Sequence, residues 1–234
     1  MTAILAIGGT DSSGGAGLTR DTAMAAELGA ILRPVVTAVT VQTNDAVLAI
    51  HPSPPQGVAD QAYAALATPP APGAVKIGML GSAAVAEAVN AALPEDLPVV
   101  LDPVLKATSG GTLMEDGGFG ALLRRAALVT PNLAELETLS GLGGSVEAQA
   151  AALLAQGVPA VLVKGGHGSG AESIDLLFTR CGAAASFAAP RLAVSKRGTG
   201  CSLATAIACL LAQGAGLEDA CRRGKEAVHR WLRR

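Results

Sequence analysis

Glycine, threonine and cysteine come together in the segment Arg197–Ser202, directly before a run of small apolar residues. Gly198, Thr199 and Gly200 would leave backbone N–H groups open at the start of a helix, where the helix dipole also attracts negative charge. Such donors stabilise a phosphoryl group during its transfer. A thiolate is favoured in the first turn of a helix, so Cys201 could accept the proton of an attacking hydroxyl as a general base. The alternative is a buried structural cysteine in a glycine turn.

A second glycine-rich segment, residues 8–17, follows the first short apolar run and precedes a helical pattern. Its three later glycines and two serines offer open backbone N–H groups and little side-chain bulk. The spacing does not match the GxGxxG motif of dinucleotide-binding proteins. The segment therefore predicts either a loop that contacts a ligand or a flexible turn between a strand and a helix.

Polar residues also mark the start of a helix in the segment Thr130–Glu135. Asn132 and Glu135 are three residues apart, so their side chains face the same side of the first turn. Their side-chain oxygen atoms could ligate a hydrated Mg²⁺ ion. An ordinary capped helix gives the same pattern, with a proline near its first position and an acidic residue in its first turn. The spacing leaves both interpretations open.

Lysine and glycine residues follow another predicted strand in the segment 164–168. Lys164 would place a cation at the end of that strand, and the glycines after it leave the backbone open. His167 is either a solvated loop residue or a ligand contact. The segments 76–80 and 101–104 occupy equivalent positions after two other strands. All of these segments would then lie at the same edge of a sheet.

Short apolar runs alternate with longer amphipathic segments along the chain, which predicts βαβ units and a three-layer α/β/α fold with a mainly parallel central sheet. Ligands bind such sheets beyond the carboxyl ends of the strands. The predicted strands are 3–7, 34–40, 74–78, 97–101, 127–129 and 160–164, followed by an antiparallel hairpin of 173–179 and 184–188. The predicted helices are 15–29, 55–67, 82–93, 117–125, 132–140, 145–156, 199–213 and 217–232. The segments 51–55 and 68–73 contain prolines and are predicted as loops.

The composition restricts the class of protein. A chain of 234 residues, half of them hydrophobic but only 2% aromatic, predicts one domain (residues 1–234) with a core of small aliphatic side chains. A net charge of -2 gives no basis for binding nucleic acid or an anionic membrane. The four cysteines have no metal-ligand spacing, which fits the reducing cytoplasm. The apolar start, residues 1–7, is too short for a signal peptide or a membrane span.

Taken together, these segments resemble the hydroxymethylpyrimidine/phosphomethylpyrimidine kinases of thiamin biosynthesis, a family of the ribokinase-like superfamily. Seven segments occur in the order typical of that family and cover nearly the whole chain. They are GGTDSSGGAGLTRD (8–21), VTAVTVQTN (36–44), VKIGML (75–80), VLDPVLKATSGG (100–111), LVTPNLAELETLSG (128–141), VLVKGGHG (161–168) and GTGC (198–201). The resemblance implies a ribokinase-like fold and an ATP- and Mg²⁺-dependent kinase, which we expect to form a homodimer.

The resemblance also implies roles for individual residues. Cys201 would be the catalytic base, with the segment 198–200 as the anion hole around the transferred group. The pyrimidine acceptor would be held by Gly9, Asp21, Gln42 and Met79. The nucleotide would be held by Asn132, Lys164 and Lys225, with Glu135 on the magnesium side. A side-chain amide such as that of Gln42 provides both a donor and an acceptor, which suits an aminopyrimidine edge.

Departures from the family pattern leave alternatives open. Arg197 stands where the family usually has histidine, the stretch between Pro190 and Gly198 is about one residue short, and the order in 42–44 is Gln-Thr-Asn. Vitamin B6 also presents a hydroxymethyl group on a small aromatic ring, so a pyridoxal or pyridoxine kinase is the neighbouring alternative. A non-catalytic pyrimidine-binding or regulatory protein is the third, although the intact segment 198–201 counts against it.

Overall fold

Within residues 1–105, 114, 118–166, 170–194 and 196–234, which a computed structural model describes, the chain forms nine strands and eight helices. The strands are β1 (Thr2–Asp11), β2 (Ala30–Gln42), β3 (Val47–Pro52), β4 (Pro72–Ile77), β5 (Val99–Leu101), β6 (Leu128–Val129), β7 (Ala160–Val163), β8 (Glu172–Thr179) and β9 (Gly182–Pro190). The helices are α1 (Gly17–Glu27), α2 (Pro55–Ala67), α3 (Ala83–Ala92), α4 (Gly120–Arg125), α5 (Leu133–Ser140), α6 (Val146–Ala155), α7 (Thr199–Ala212) and α8 (Leu217–Leu232). Among these described helices, none is both long enough and apolar enough to cross a membrane.

The described strands form one sheet in the order β3-β2-β1-β4-β5-β6-β7-β8-β9. The six consecutive strands β2, β1, β4, β5, β6 and β7 of this order are parallel. The pairs β2–β3, β7–β8 and β8–β9 are antiparallel. After β1 the chain first adds β2 and β3 on one side and then continues from β4 on the other. This reversal leaves a crevice at the carboxyl ends of β1 and β4, the place where sheets of this kind bind ligands.

Two hydrophobic layers cover the sheet, and the alternation of side chains along each strand assigns residues to one or the other. On β1, Leu5 and Ile7 pack with helices α2 to α6, whereas Ile4 packs with α1, α7 and α8. The same alternation holds on β4, where Val75 and Ile77 face the first layer. The predicted three-layer α/β/α fold with a mainly parallel sheet is confirmed, and the core is built chiefly from aliphatic side chains.

The structure corrects the sequence prediction at the sheet edge and at several boundaries. The two predicted loops are present but shorter than expected. Only residues 53–54 lie between the end of β3 at Pro52 and the start of α2 at Pro55, and the second loop ends where β4 begins at Pro72. Strand β3 was missed because it is a half-exposed edge strand held by antiparallel pairing with β2, so it carries little apolar periodicity of its own. The hairpin at Cys181 is confirmed. Residues 106–111 of the family-like segment, His167, Gly168 and the predicted helix start at residue 117 lie outside the described residues.

Helices α7 and α8 pack so closely that Gly224 has no space for a side chain. A Cβ atom at Gly224 would lie 2.9 Å from Cγ1 of Ile207 and 3.5 Å from Cδ1 of Leu203. On α2, by contrast, a Cβ at Gly57 would meet only Cδ of Pro54, at 4.0 Å.

This contrast predicts opposite effects for two matched substitutions. Gly57→Ala should stabilise the protein by about 0.5–1 kcal/mol, because alanine loses less backbone entropy in a helix. Gly224→Ala should destabilise it, because forcing a methyl group into a filled core costs about 1–3 kcal/mol. Urea unfolding of both variants measures this difference, and a Gly224→Ala variant as stable as Gly57→Ala would contradict the close packing of α7 on α8.

Candidate active site

A cavity of about 430 Å³ opens at the carboxyl ends of the central strands. It brings together residues from distant parts of the chain, as expected for ligand binding at this edge of a parallel sheet. Eleven of the predicted site residues line it: Gly9, Gln42, Met79, Asn132, Glu135, Lys164, Gly198, Thr199, Gly200, Cys201 and Lys225. Asp21 is the exception, since it is not among the residues that line the cavity.

The start of α7 forms one wall of this cavity. Gly198 is the N-terminal cap in a left-handed conformation (φ 75°), and no described side chain caps the helix. The first helical hydrogen bond runs from the N–H of Ser202 to the carbonyl of Gly198 (2.8 Å), and the hydroxyl of Thr199 donates to the carbonyl of Lys196 (2.7 Å). The backbone N–H groups of 199–201 therefore remain at the positive end of the helix dipole, beside the cavity.

The glycine-rich loop after β1 holds this helix start in place. A Cβ atom at Gly198 would collide with the carbonyl oxygen of Gly15 and lie 3.1 Å from the Cα of Ala16. Gly17, with φ 58°, is equally restricted, because a Cβ there would lie 2.5 Å from the carbonyl oxygen of Gly9. The two glycine-rich segments predicted from sequence are therefore in direct contact.

The thiol of Cys201 does not have the acidity that its position in the sequence predicted. Burial raises the pKa of Cys201 to about 11, although the Lys76 ammonium and the N–H of Gly17 act in the opposite direction. The expected stabilisation of the thiolate by the helix start is outweighed in the ligand-free protein. At neutral pH the group is a thiol, so a role as base requires that bound ligands or neighbouring charges favour the thiolate.

An ion pair lies beneath the cavity. The ammonium of Lys76 donates to Oδ2 of Asp21 at 2.8 Å, and the hydroxyl of Thr205 donates to Oδ1 of the same carboxylate at 2.7 Å. Asp21 is fully buried, so the structure places it behind Lys76 and not against a ligand in the cavity. Lys76 itself lines the cavity.

Gly9, Gln42 and Met79 lie at the end of the cavity near β1 and β2. A Cβ at Gly9 would lie 3.0 Å from the sulfur of Met79, so the missing side chain makes room for the methionine. The hydroxyl of Thr37 donates to the carbonyl of Met79 (2.7 Å), and that of Thr40 donates to Oε1 of Gln42 (3.3 Å). These contacts form a pocket with an apolar sulfur wall and one side-chain amide.

Acidic and basic groups alternate at the opposite end of the cavity. Lys164 lies with its ammonium 2.7 Å from Oδ1 of Asp102 and 3.6 Å from Oε2 of Glu135. Burial alone would lower the pKa of Lys164, but Asp102 and Glu135 outweigh it and raise that pKa. A Cβ at Gly200 would lie 3.2 Å from this ammonium, which shows how closely the start of α7 approaches the cation.

Asn132 and Glu135 form a complete capping box at the start of α5. The N–H of Glu135 donates to Oδ1 of Asn132 (2.9 Å), and the N–H of Asn132 donates to Oε2 of Glu135 (2.8 Å). The capped-helix interpretation is therefore confirmed for these residues. Both also line the cavity, so the structural role and a ligand role are compatible.

The donor set suits magnesium only as a partner of a bound nucleotide. Among the described residues, no three His, Cys, Asp or Glu side chains cluster closely enough to hold a metal. Mg²⁺ in phosphoryl-transfer sites usually takes one or two carboxylates, with phosphates and waters as its other ligands. The carboxylate of Glu135 fits that arrangement, since only Oε2 is used in the capping box. Burial raises the pKa of Glu135, and Lys164 opposes the rise.

The β8–β9 hairpin forms the outer wall. The ammonium of Lys225 lies 2.9 Å from Oδ1 of Asp175 and donates to Ser173 at 3.2 Å, so α8 is joined to the hairpin. The guanidinium of Arg191 donates to four carbonyl groups of the neighbouring loop and strand. Those carbonyls belong to Gly165, Gly166, Gly170 and Glu172.

Arg197, which replaces the usual histidine of the family pattern, joins two loops at the cavity rim. Its guanidinium donates to Ser13 Oγ (2.8 Å), to the Thr43 carbonyl (2.9 Å) and to Oδ2 of Asp11 (3.1 Å). Asp11 in turn accepts N–H bonds from the glycine-rich loop. The arginine therefore fixes the loop after β1 against the end of β2.

The linker that precedes α7 rests on the side of α8. The ammonium of Lys196 donates to the carbonyl of Trp231 (3.2 Å) and lies 5.3 Å from the centre of its ring. The guanidinium of Arg20 lies 4.5 Å from the same ring. Cation–π attraction thus connects α1, the linker and the last helix.

Sequence reasoning missed several charged residues of the site. Lys76 and Asp102 stood in segments recognised only as strand ends, and Asp11, Asp175 and Arg191 were given no role. Their position at the ends of strands was the available signal. Their charge pairing depends on contacts between residues far apart in the chain, as in the Arg197–Asp11 and Lys225–Asp175 pairs.

Comparison with known proteins gives a consistent result. The family model described as phosphomethylpyrimidine kinase matches residues 11–234. Over 96% of its length the chain is 41% identical to the thiamine biosynthesis bifunctional protein ThiED of Geobacter sulfurreducens, of which it spans about half, 48%. It is 37% identical to the hydroxymethylpyrimidine/phosphomethylpyrimidine kinase of Rhizobium meliloti, over 98% of this chain and 90% of that protein.

A solved structure also resembles the chain throughout. It is the pyridoxal kinase from Staphylococcus aureus in complex with AMP-PCP and pyridoxal, with a TM-score of 0.86 and 28% identity. The match covers 98% of this chain and 87% of that one.

The four thiols should react with iodoacetamide in an order set by exposure and pKa. Cys181 is exposed in the β8–β9 turn and should react first. Cys201 should react slowly at pH 7.5 and faster as the pH approaches about 11, roughly tenfold per pH unit. Burial raises the pKa of Cys209 and Cys221 to about 12, so both should stay unmodified. Peptide mass spectrometry measures the order, and rapid labelling of Cys201 at pH 7.5 would contradict it.

Proposed function

The chain belongs to the phosphomethylpyrimidine kinase family, and we propose that it transfers the γ-phosphoryl group of ATP to 4-amino-5-hydroxymethyl-2-methylpyrimidine, to its monophosphate, or to both. The observation that carries the proposal is the cavity itself. It combines the start of α7 and Cys201 with an amide- and sulfur-lined pocket at one end and the lysine–carboxylate cluster at the other. Phosphoryl transfer depends mostly on such positioning and electrostatics.

The acceptor would bind at the end formed by Gly9, Gln42 and Met79, with its hydroxymethyl group directed at Cys201. The thiolate of Cys201 takes the hydroxyl proton as the oxygen attacks the γ-phosphorus and the bond to the ADP oxygen breaks. The N–H groups at the start of α7 stabilise the oxygens of the transferring group. Asp21 contributes through Lys76, since it does not reach the cavity.

ATP would lie across the opposite end of the cavity, against Asn132, Lys164 and Lys225. The cation of Lys164 and the helix start provide positive charge for the phosphates. The S. aureus pyridoxal kinase structure, a complex with AMP-PCP, supports a nucleotide in this fold. Glu135 would hold a Mg²⁺ ion on the phosphates, which supplies charge neutralisation there.

A pyridoxal kinase is the second candidate function, because a pyridoxal complex of a kinase with the same fold resembles the chain closely. The curated relatives favour the pyrimidine, since those at 37–41% identity carry thiamine-biosynthesis names. Gln42 supports the same choice through its donor and acceptor for an aminopyrimidine edge. A purely binding or regulatory role is disfavoured by the intact Gly198–Cys201 segment.

We further propose that residues 1–234 act as one kinase unit in the cytoplasm and form a homodimer. One continuous sheet joins the strands from both ends of the described chain, and all four cysteines are free. Val39, Val41 and Leu48 are exposed on the neighbouring strands β2 and β3, which supports an apolar contact at that edge of the sheet.

A coupled ATP-consumption assay with hydroxymethylpyrimidine, its monophosphate and pyridoxal in parallel tests the function. We expect turnover with at least one of the two pyrimidines, with a kcat/KM at least about tenfold above that for pyridoxal, because one well-made buried hydrogen bond contributes about 1–3 kcal/mol to discrimination. A preference for pyridoxal would establish the second candidate. Binding of a pyrimidine without any ATP consumption would establish the regulatory one.

Substitution of Cys201 tests the catalytic base. Cys201→Ala should lower kcat by roughly 10²–10⁴-fold, as expected for a lost acid–base group, while both ligands still bind. Cys209→Ala is the matched control, because Cys209 is fully buried eight residues further along the same helix. That variant should lose stability and keep its turnover per folded molecule. Equal loss of kcat in both variants, or normal turnover in Cys201→Ala, would rule out the role of Cys201.

A further inference from the structure

The ion pair between Lys76 and Asp21 lies directly beneath the reactive end of the cavity. Both side chains are buried, at 1% and 0% exposure. The lysine is on β4, two residues after Ala74 and therefore on the same face of the strand, and Ala74 belongs to the apolar layer under α1, α7 and α8. A charged pair therefore occupies a position that the strand pattern assigns to the hydrophobic core.

Stability alone does not account for a buried ion pair. Removing two charges from water costs several kcal/mol per ion, and well-packed apolar residues of similar volume are often equally stable or more stable. The pair is nevertheless tightly constrained. A Cβ at Gly78 would lie 2.7 Å from Nζ of Lys76, and the hydroxyl of Thr205 fixes the far oxygen of Asp21. The ammonium is thus held at one point.

The Lys76 ammonium is close enough to Cys201 for its charge to lower the pKa of that thiol. Thr205 and Cys201 are four residues apart on α7, so they lie on the same face of the helix, one turn apart. The hydrogen bond of Thr205 to Asp21 therefore fixes the position of the ion pair relative to α7, the helix that carries the thiol. Lys76 and Cys201 also line the same cavity.

We propose that Lys76 is a positioning residue that stabilises the thiolate of Cys201, with Asp21 and Thr205 holding its ammonium in place. The inference rests on the proposed role of Cys201 as base and adds a neighbouring charge that favours the thiolate. When the substrate hydroxyl loses its proton to the thiolate, the charge moves to the transferring phosphoryl group, and the ammonium itself gains and loses no proton.

The charges around Cys201 support this assignment. From β4, Lys76 favours the thiolate, as does the N–H of Gly17 from α1. The negative charges of Asp21 on α1 and Asp102 after β5 disfavour the thiolate. The ammonium of Lys164 after β7 also interacts with the thiolate. Burial alone would lower the pKa of Lys76, but Asp21, Cys201 and Asp102 raise it well above its usual range, so the ammonium keeps its charge.

Titration of the Cys201 thiol tests the proposal without a kinase assay. The Cys181→Ser protein removes the exposed thiol, and the alkylation rate of Cys201 as a function of pH then gives its midpoint. Lys76→Met should raise the midpoint by roughly 1–3 units, the usual effect of losing a close opposite charge. Lys76→Arg keeps a cation and should restore the midpoint to near the starting value. Thr205→Val removes a bond of the same network but no charge, so it should raise the midpoint clearly less than Lys76→Met does.

Lys76→Met alone leaves the buried carboxylate of Asp21 without its cation, which could prevent folding. The double variant Lys76→Met/Asp21→Asn removes both charges and so avoids this problem. Its midpoint should lie between that of the Cys181→Ser protein and that of Lys76→Met, since the opposing charge of Asp21 is lost as well. If both Lys76 variants titrate at the starting midpoint, the proposal is wrong. If Thr205→Val raises the midpoint as much as Lys76→Met, packing and not charge is responsible, and the proposal is again wrong.

Kinase measurements separate this inference from the proposed function. Lys76→Met should lower kcat at pH 7.5 at least about tenfold, leave the KM for ATP nearly unchanged, and shift the rise of kcat to higher pH. Lys76→Arg should recover much of the activity. An inactive wild-type protein would refute the function but not the thiol titration. An active wild-type protein whose Lys76→Met variant keeps the same pH profile would refute the inference alone.

Discussion

The contact between Gly198 and Gly15 is the constraint on which the site depends. Any side chain at Gly198 would collide with the carbonyl of Gly15, and the left-handed backbone at this point also favours glycine. Helix α7 can therefore begin only where it meets the loop after β1. That placement puts its N–H groups and Cys201 beside the cavity that Lys76 also lines, and it brings Arg197 within reach of Asp11.

Most of the fold could be predicted because each element carries its own pattern. The buried parallel strands are mostly apolar, the β8–β9 hairpin flanks a turn at Cys181 and Gly182, and the helices are periodic. Every described strand except β3 and all eight described helices were therefore anticipated in outline. Strand β3 was not, because its residues are half exposed and its structure depends on pairing with β2. An edge strand of this kind is defined by its partner more than by its own sequence.

The site was predictable by position and not by electrostatics. Residues after strand ends converge on one cavity as expected, and the Asn132–Glu135 pair proved to be a helix cap that also faces it. The acidity of Cys201 and the location of Asp21 were predicted wrongly, since both depend on burial. A first-turn cysteine predicts a thiolate only if water or cations reach it, and neither condition can be read from spacing.

The packing of the linker before α7 on Trp231 has an optical consequence. The chain contains one tryptophan, and its ring lies close to the cations of Arg20 and Lys196. Indole emission responds to nearby charge and to solvent, so the fluorescence of the unmodified protein reports on the position of residues 196–198. Closure or opening of the wall around the phosphoryl group can thus be followed by stopped-flow spectroscopy without any added label.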